Sequence, residues 1–255
     1  MSIQTELTRL RTNVLSAVTS QAAILSVIAS KGVTVPPGAT LHDVPGLIGE
    51  IQGQAPSSST TTIGGRTYKT VRIGSQWWMA ENLDWKWDGL DLSTNIVGDS
   101  TTPNAVYYNN DEATYGEGGY KCGLLYNTAA KHYLNNTLLS NEVPGWRVPT
   151  REDILVLKDY INDSVNDGYI LSKDELSWAP DWHGSNDYNF DMIPSGSRQG
   201  PYFIYEGFNW LASFHTASTN GYWGRWLNNN PNTFIEEGYF STYPLYSIRL
   251  VKDVQ

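Results

Sequence analysis

The side chains best suited to recognition lie between Pro201 and Tyr246. Fourteen of those residues are Phe, Tyr or Trp, and six more are Asn (209, 220, 228, 229, 230 and 232). Rigid aromatic rings give large contact area at low entropic cost, and Asn, Ser and Gly give adaptable hydrogen bonds, as in antibody paratopes. Catalytic groups are thinly supplied. His42, His132, His183 and His215 sit in unrelated contexts. Asp181, His183, Asp187 and Asp191 are metal-ligating types, but their irregular spacing among Gly and Asn reads as a solvated loop. The only cysteine, Cys122, excludes an internal disulfide, and with it zinc sites of four cysteines or of paired cysteines and histidines. No Gly-x-Ser-x-Gly elbow, phosphate-binding loop or His-Glu-x-x-His is present. A carboxylate pair for glycoside hydrolysis is defined by its separation, which a sequence does not give. The chain is therefore read as a binding protein, not an enzyme, with no cofactor and no metal site. Structural calcium is left open.

The elements that must position these residues fall into two regimes. No aromatic precedes Tyr68, and all 32 lie from there onward. Ile3, Leu7, Leu10, Val14, Ala17, Gln21, Ile24 and Ile28 follow a heptad spacing, which predicts a helix that oligomerises through residues 3–28 as a parallel trimer, with Gln21 as a polar seam position. Gly32 stops the helix. An extended or turn segment follows to Leu41, and Asp43 can cap a short helix bearing Leu47, Ile48 and Ile51. Residues 1–51 form this segment and 52–62, a polar Gly-, Ser- and Thr-rich stretch, read as a linker. Residues 63–255 read as one α+β domain with long loops. Thr67–Ile73 alternates as a strand, and Gly74-Ser75 turns into Gln76-Trp-Trp-Met79, expected in the core. Leu124–Leu134 has helical spacing. Thr150-Arg-Glu-Asp153 forms a capping box before Ile154, Leu157 and Ile161. Arg147 and Arg198 are expected to hydrogen-bond loop carbonyls. Tyr246-Ser-Ile-Arg-Leu-Val-Lys252 closes the domain as a strand.

Charge narrows the partners. The net charge is −9, and residues 1–51 carry three basic and three acidic groups, so the whole acidic excess lies beyond them. An acidic domain repels phosphate backbones and anionic lipid. Nucleic acid is not expected as a partner. Nor is membrane insertion, since no apolar run reaches the length of a span. No signal peptide is visible, so synthesis in a cytoplasm is expected.

Several short motifs resemble one family in order. Thr70-Val-Arg-Ile-Gly-Ser-Gln-Trp-Trp-Met-Ala-Glu-Asn-Leu83, Gly123-Leu-Leu-Tyr-Asn127, Gly145-Trp-Arg-Val-Pro-Thr150, Asp187 through Phe190, Pro194-Ser-Gly-Ser-Arg198, Trp210-Leu-Ala-Ser213 and Ser247-Ile-Arg-Leu-Val-Lys-Asp253 are similar to the Fibrobacter succinogenes major paralogous domain. The resemblance implies a C-type lectin-like fold of the formylglycine-generating-enzyme type. The lone Cys122 cannot supply the cysteine pair of those enzymes, and the calcium–sugar motifs of calcium-dependent lectins are absent. Some members are variable proteins of diversity-generating retroelements. Residues 28–48 resemble segments of phage tail and tail-fibre proteins. Together the resemblances imply a virion-borne tail-fibre receptor-binding protein, assembled with other tail proteins and attaching to a bacterial surface glycan or protein. A bacterial surface adhesin or lectin, or an enzyme degrading surface glycan, are the alternatives.

The retroelement resemblance implies which window positions vary. Codons of the type AAC or AAT, mutated at their adenines, cannot yield Trp, Glu, Gln, Lys or Met. Trp210, Trp223 and Trp226 are then frame, with Trp226 still able to touch ligand. The other candidate contacts are Phe214, His215, Tyr222, Gly224, Asn228, Asn230, Phe234, Tyr239, Phe240 and Tyr243. Comparison with a genomic template repeat should show adenine mismatches clustered at these codons. An unmodified or absent template would remove the retroelement reading and leave the binding reading.

Overall fold

The computed structural model describes residues 21–26, 29, 35–40, 57–93, 101–161, 166–174, 176–199, 204–218, 221–226, 234–239 and 244–254. The chain divides into two units, Met1–Ala55 and Pro56–Gln255. In the first, residues 21–26 are helical and the Gln21 amide donates to the Ala39 carbonyl at 3.0 Å. Most of the heptad segment 3–28, Gly32 and the short helix after Asp43 lie outside the described residues.

The second unit is α+β. Its first sheet has the order β1-β2-β3-β11, with β1 Ser58–Ile63, β2 Arg66–Ile73, β3 Gln76–Met79 and β11 Val251–Asp253. All three pairings are antiparallel. The sheet is covered on both faces, and side-chain alternation sorts its residues. Tyr68, Met79 and Leu250 enter one core with Leu83, Leu124 and Tyr126. Val71, Ile73, Trp78 and Val251 enter the other with Ile154, Leu157, Phe190 and Trp223.

Part of the expected linker belongs to this sheet. Ser58-Ser-Thr-Thr-Thr-Ile63 pairs with β2 from Ser58↔Val71 to Ile63↔Arg66. Its residues are β-compatible Thr and Ser, mostly exposed, as suits a polar edge strand. Gly64 and Gly65, at φ 57° and 82°, supply the left-handed turn that joins the two strands.

A second sheet has the order β10-β9-β8-β6-β7, from β6 Ser195–Gln199, β7 Ile204–Phe208, β8 Leu211–His215, β9 Gly221–Trp226 and β10 Phe234–Tyr239. Only β6 and β8 run parallel. A two-stranded pair joins β4 Ala105–Val106 to β5 Leu125–Tyr126.

Among the described residues of this unit, five short α-helices lie in the connections. They are α1 Glu112–Tyr115, α2 Thr128–Tyr133, α3 Leu139–Glu142, α4 Arg151–Ile161 and α5 Asp167–Leu171. The helical spacing of 124–134 is only half realised. Leu125-Tyr126 pairs as β5, and α2 starts at Thr128 because Asn127 caps it, accepting from Ala130 N at 2.8 Å.

The capping box forms as the sequence predicts. Asp153 N donates to Thr150 Oγ1 at 3.2 Å, and Thr150 N donates to Asp153 Oδ2 at 2.9 Å. The Asp153 carboxylate also takes Arg147 at 2.5 Å and the Gln76 amide at 3.0 Å, and Gln76 Oε1 accepts from Trp78 Nε1 at 3.1 Å. Arg147 therefore serves Asp153 and Asp253, the latter at 2.9 Å, rather than the loop carbonyls expected. Its second partner ties α4 to the last strand. Removing the buried Asp153 carboxylate strands the buried Gln76 amide and costs Arg147 its better-buried partner. Asp153→Ala should lower the unfolding free energy by about 3 kcal/mol in urea titrations, and a loss below about 1 kcal/mol would show that the network does not hold these elements.

Candidate functional site

The β8–β9 hairpin carries the first of the expected contact residues, and it is interior. Every residue of β8 is buried. Phe214 is 0 % exposed, with its ring centroid 4.7 Å from that of Trp223 and the Arg249 guanidinium 5.2 Å from its own. Trp223 in turn packs edge-on to Trp78 at 5.6 Å, so this tryptophan is frame.

His215 is enclosed. Nε2 donates to the Tyr126 carbonyl at 2.6 Å, and the ring stands against Tyr246 at 5.2 Å. Nδ1 has no hydrogen-bond partner among the described residues. Tyr222 is buried beside Tyr246. At Gly224 a Cβ would lie 1.8 Å from the Ala212 carbonyl oxygen, so the neighbouring strand excludes every other residue there. Phe214, His215 and Gly224 are thus not ligand contacts, and Tyr222 contributes to the frame. The window composition misled at these positions because an aromatic strand buried on both faces has the same residue types as an exposed one. Trp226, Phe234 and Tyr239 lie on the paired strands β9 and β10. Asn228, Asn230, Phe240 and Tyr243 lie outside the described residues.

The aromatic surface lies elsewhere. Tyr120, Trp178 and Phe208 come together from three distant segments. Trp178 stacks on Phe208 with centroids 4.9 Å apart and planes 15° apart, and on Tyr120 at 5.0 Å and 25°. Tyr120 and Phe208 are 5.8 Å apart. Tyr120 is 38 % exposed, and Trp178 and Phe208 are half-buried. Offset stacking of this kind adds to the gain from burial and holds each ring in place.

The support beneath is built for position. Tyr115 meets Phe208 edge-on at 4.9 Å, and Tyr108 lies 5.1 Å from both Phe208 and Tyr205. The Tyr205 hydroxyl donates to Asn110 Oδ1. Asp111 caps α1 by accepting from Thr114 N at 3.0 Å, and hydrogen bonds from the Thr114 side chain and then its backbone hold the Asp111 carboxyl below the ordinary value. The turn to Tyr120 requires Gly119, where a Cβ would sit 2.0 Å from the Thr114 carbonyl oxygen. Asn109, Asn110, Lys121 and Asn209 all have positive φ, between 53° and 79°. Such residues persist only where surroundings over-determine them, and they gather at functional sites. Only Phe208 of the three rings lies in the window from 201 to 246. Nothing local links residue 120 to 178, so no sequence period could have joined them. The glycines of Tyr115-Gly-Glu-Gly-Gly-Tyr120, flanked by two tyrosines, were the available signal.

The histidines and acidic residues singled out in the sequence make isolated pairs. His183 meets Asp174 at 3.1 Å and Asp191 meets Asn186 at 2.7 Å. Among the described residues no group of three metal-ligating side chains converges. Cys122 is buried, and burial pushes its thiol up to about 12.

An α+β domain with a buried aromatic frame and a separate stacked aromatic surface is what the fold and surface define. Residues 71–252 match the Fibrobacter succinogenes major domain, and the chain belongs to that family. No curated protein and no solved structure matches it.

Enclosure of His215 has a pH consequence. Burial, then the charge of Lys131, pushes its imidazole from 6.5 to about 3. The unfolded chain takes up this proton near 6.5 and the folded chain only near 3, so acid favours unfolding between those values. Stability should fall by about 2 kcal/mol between pH 8 and pH 5 through this residue. His215→Gln should flatten the dependence measured by urea titration. An equal slope in the variant would contradict the assignment.

Proposed function

We propose that this protein is a phage tail-fibre receptor-binding protein whose C-terminal unit attaches to a bacterial cell-surface glycan or protein without catalysis and without a cofactor. The unit is a C-type lectin-like domain in this reading, carried on a trimeric stalk through residues 3–28 and joined to other tail proteins in the virion. The observation that carries the proposal is the Tyr120–Trp178–Phe208 stack. Fixed, partly exposed aromatic rings on a folded surface are unusual without a partner, and rings of this kind dominate binding energy at interfaces.

The window beyond β9 supplies the diversifiable part. Its proposed contacts are Trp226, Asn228, Asn230, Phe234, Tyr239, Phe240 and Tyr243, and they rest on composition. Phe214, His215 and Gly224 drop out because the interior holds them. A retroelement that rewrote those codons would destroy the fold. Modest affinity at each tip is offset by three tips on one stalk, which raise effective affinity without new contacts.

The decisive variant is Trp178→Ala in the full chain. Binding to intact host bacteria should fall by at least tenfold in a cell-adsorption assay, while the half-exposed position limits the loss of stability to about 1–2 kcal/mol. Unchanged adsorption by a folded variant would overturn the role of the stack.

A further inference from the structure

We propose that a cleft between the outer end of the first sheet and the loop at 186–191 is a second ligand site, suited to a neutral, hydroxyl-rich sugar. Its volume is about 560 Å³, within the roughly 300–1,000 Å³ of small-molecule sites. One wall is β1 with β2, where Thr60 pairs with Lys69 and Ser59 with Thr70. Ala80 also lines it, and Asn189 and Asp191 form the opposite wall. No residue is shared with the aromatic stack or with the window beyond β9.

The loop wall is held in a conformation that has to be enforced. Asn186, Asn189 and Asp191 have φ of 50°, 53° and 54°, the left-handed region that side chains other than glycine seldom adopt. Two bonds lock it, Asn186 Nδ2 to Asp191 Oδ1 at 2.7 Å and Asp191 N to Asn186 Oδ1 at 2.9 Å. The fully buried Arg249 adds two more, to the carbonyl oxygens of Phe190 and, at 2.8 Å, of Asp191.

The polar groups facing the cleft are not spent on one another. Thr70 is 3 % exposed, yet its hydroxyl has no hydrogen-bond partner among the described residues. That hydroxyl is not sealed from solvent, so a ligand in the cleft can reach it. The Lys69 ammonium and the Asn189 amide also have no side-chain partner among the described residues, and the Asp191 carboxylate accepts from Asn186 beside the Arg249 charge.

These groups select a chemistry. Lys69 can only donate and the Asp191 carboxylate can only accept, whereas serine and threonine hydroxyls do both. Lys69 and Asp191 place one charge of each sign on the lining, with the Arg249 cation behind Asp191. A sugar ring presents adjacent hydroxyls that donate and accept at once, and so can satisfy both charged groups together with Thr70 and Asn189. A zwitterion would match the two charges but leave the hydroxyl wall unpaired.

Saturation-transfer NMR on the full chain can test this, using the methyl glycosides of glucose, galactose, mannose and N-acetylglucosamine, with glycine as the zwitterionic competitor. At least one glycoside should bind saturably. Asp191→Asn, which keeps an oxygen for Asn186, and Lys69→Met should each weaken it about tenfold. Trp178→Ala should leave it unchanged, which separates this site from the stack. Binding of none of the four glycosides, equal binding by Asp191→Asn and Lys69→Met, displacement by glycine, or loss in Trp178→Ala would each overturn the proposal.

Discussion

The guanidinium of Arg249 is the constraint on which the second unit depends. It is 0 % exposed, and burial pushes it down to about 9, so its charge is tolerated only because the surroundings satisfy it. Nε donates to Asn82 Oδ1 at 2.8 Å, and the two terminal nitrogens take the carbonyls of Phe190 and Asp191. Phe190 and Phe214 lie within 4.7 Å and 5.2 Å of the cation. Asn82 passes the connection on to the Cys122 carbonyl at 2.8 Å and the Ser195 hydroxyl at 3.2 Å. One charge thereby fixes the last strand, the end of β3, the loop at 190 and the start of β6.

This arrangement explains why the family motifs fall where they do. Asn82, Phe190, Ser195, Ser247 and Arg249 all come from the motif segments, and they meet in the interior rather than on a surface. The Ser195 and Ser247 hydroxyls lie 3.0 Å apart beside Asn82. A second interior junction, around Asp153, joins Gln76 of the Thr70–Leu83 segment to Arg147 and Thr150 of the Gly145–Thr150 segment. In this chain the motif segments build a polar frame in the interior.

Local patterns were legible and distant ones were not. The capping box at Thr150, the buried face of Ile154, Leu157 and Ile161, and the β2–β3 hairpin followed from spacing alone. The polar run at 58–62 was misread because a Thr-rich edge strand and a linker have the same composition. Within the aromatic window, Trp223 was correctly separated as frame. Phe214 and His215 were not, since partners that local spacing does not reveal, Trp223 and Arg249 for the one and Tyr126 and Tyr246 for the other, enclose them. The Tyr120–Trp178–Phe208 stack joins residues far apart in the chain, and no periodicity encodes such a meeting.

A division of labour between interior frame and aromatic surface is the central claim, and a saturation-mutagenesis scan of the displayed chain, sorted by protease resistance, tests it most directly. Positions 82 and 249 should reject nearly every substitution, while positions 120, 178 and 208 should accept most polar residues and still fold. If the three aromatic positions prove as intolerant as Arg249, they are core, and the stack is not a surface kept for a partner.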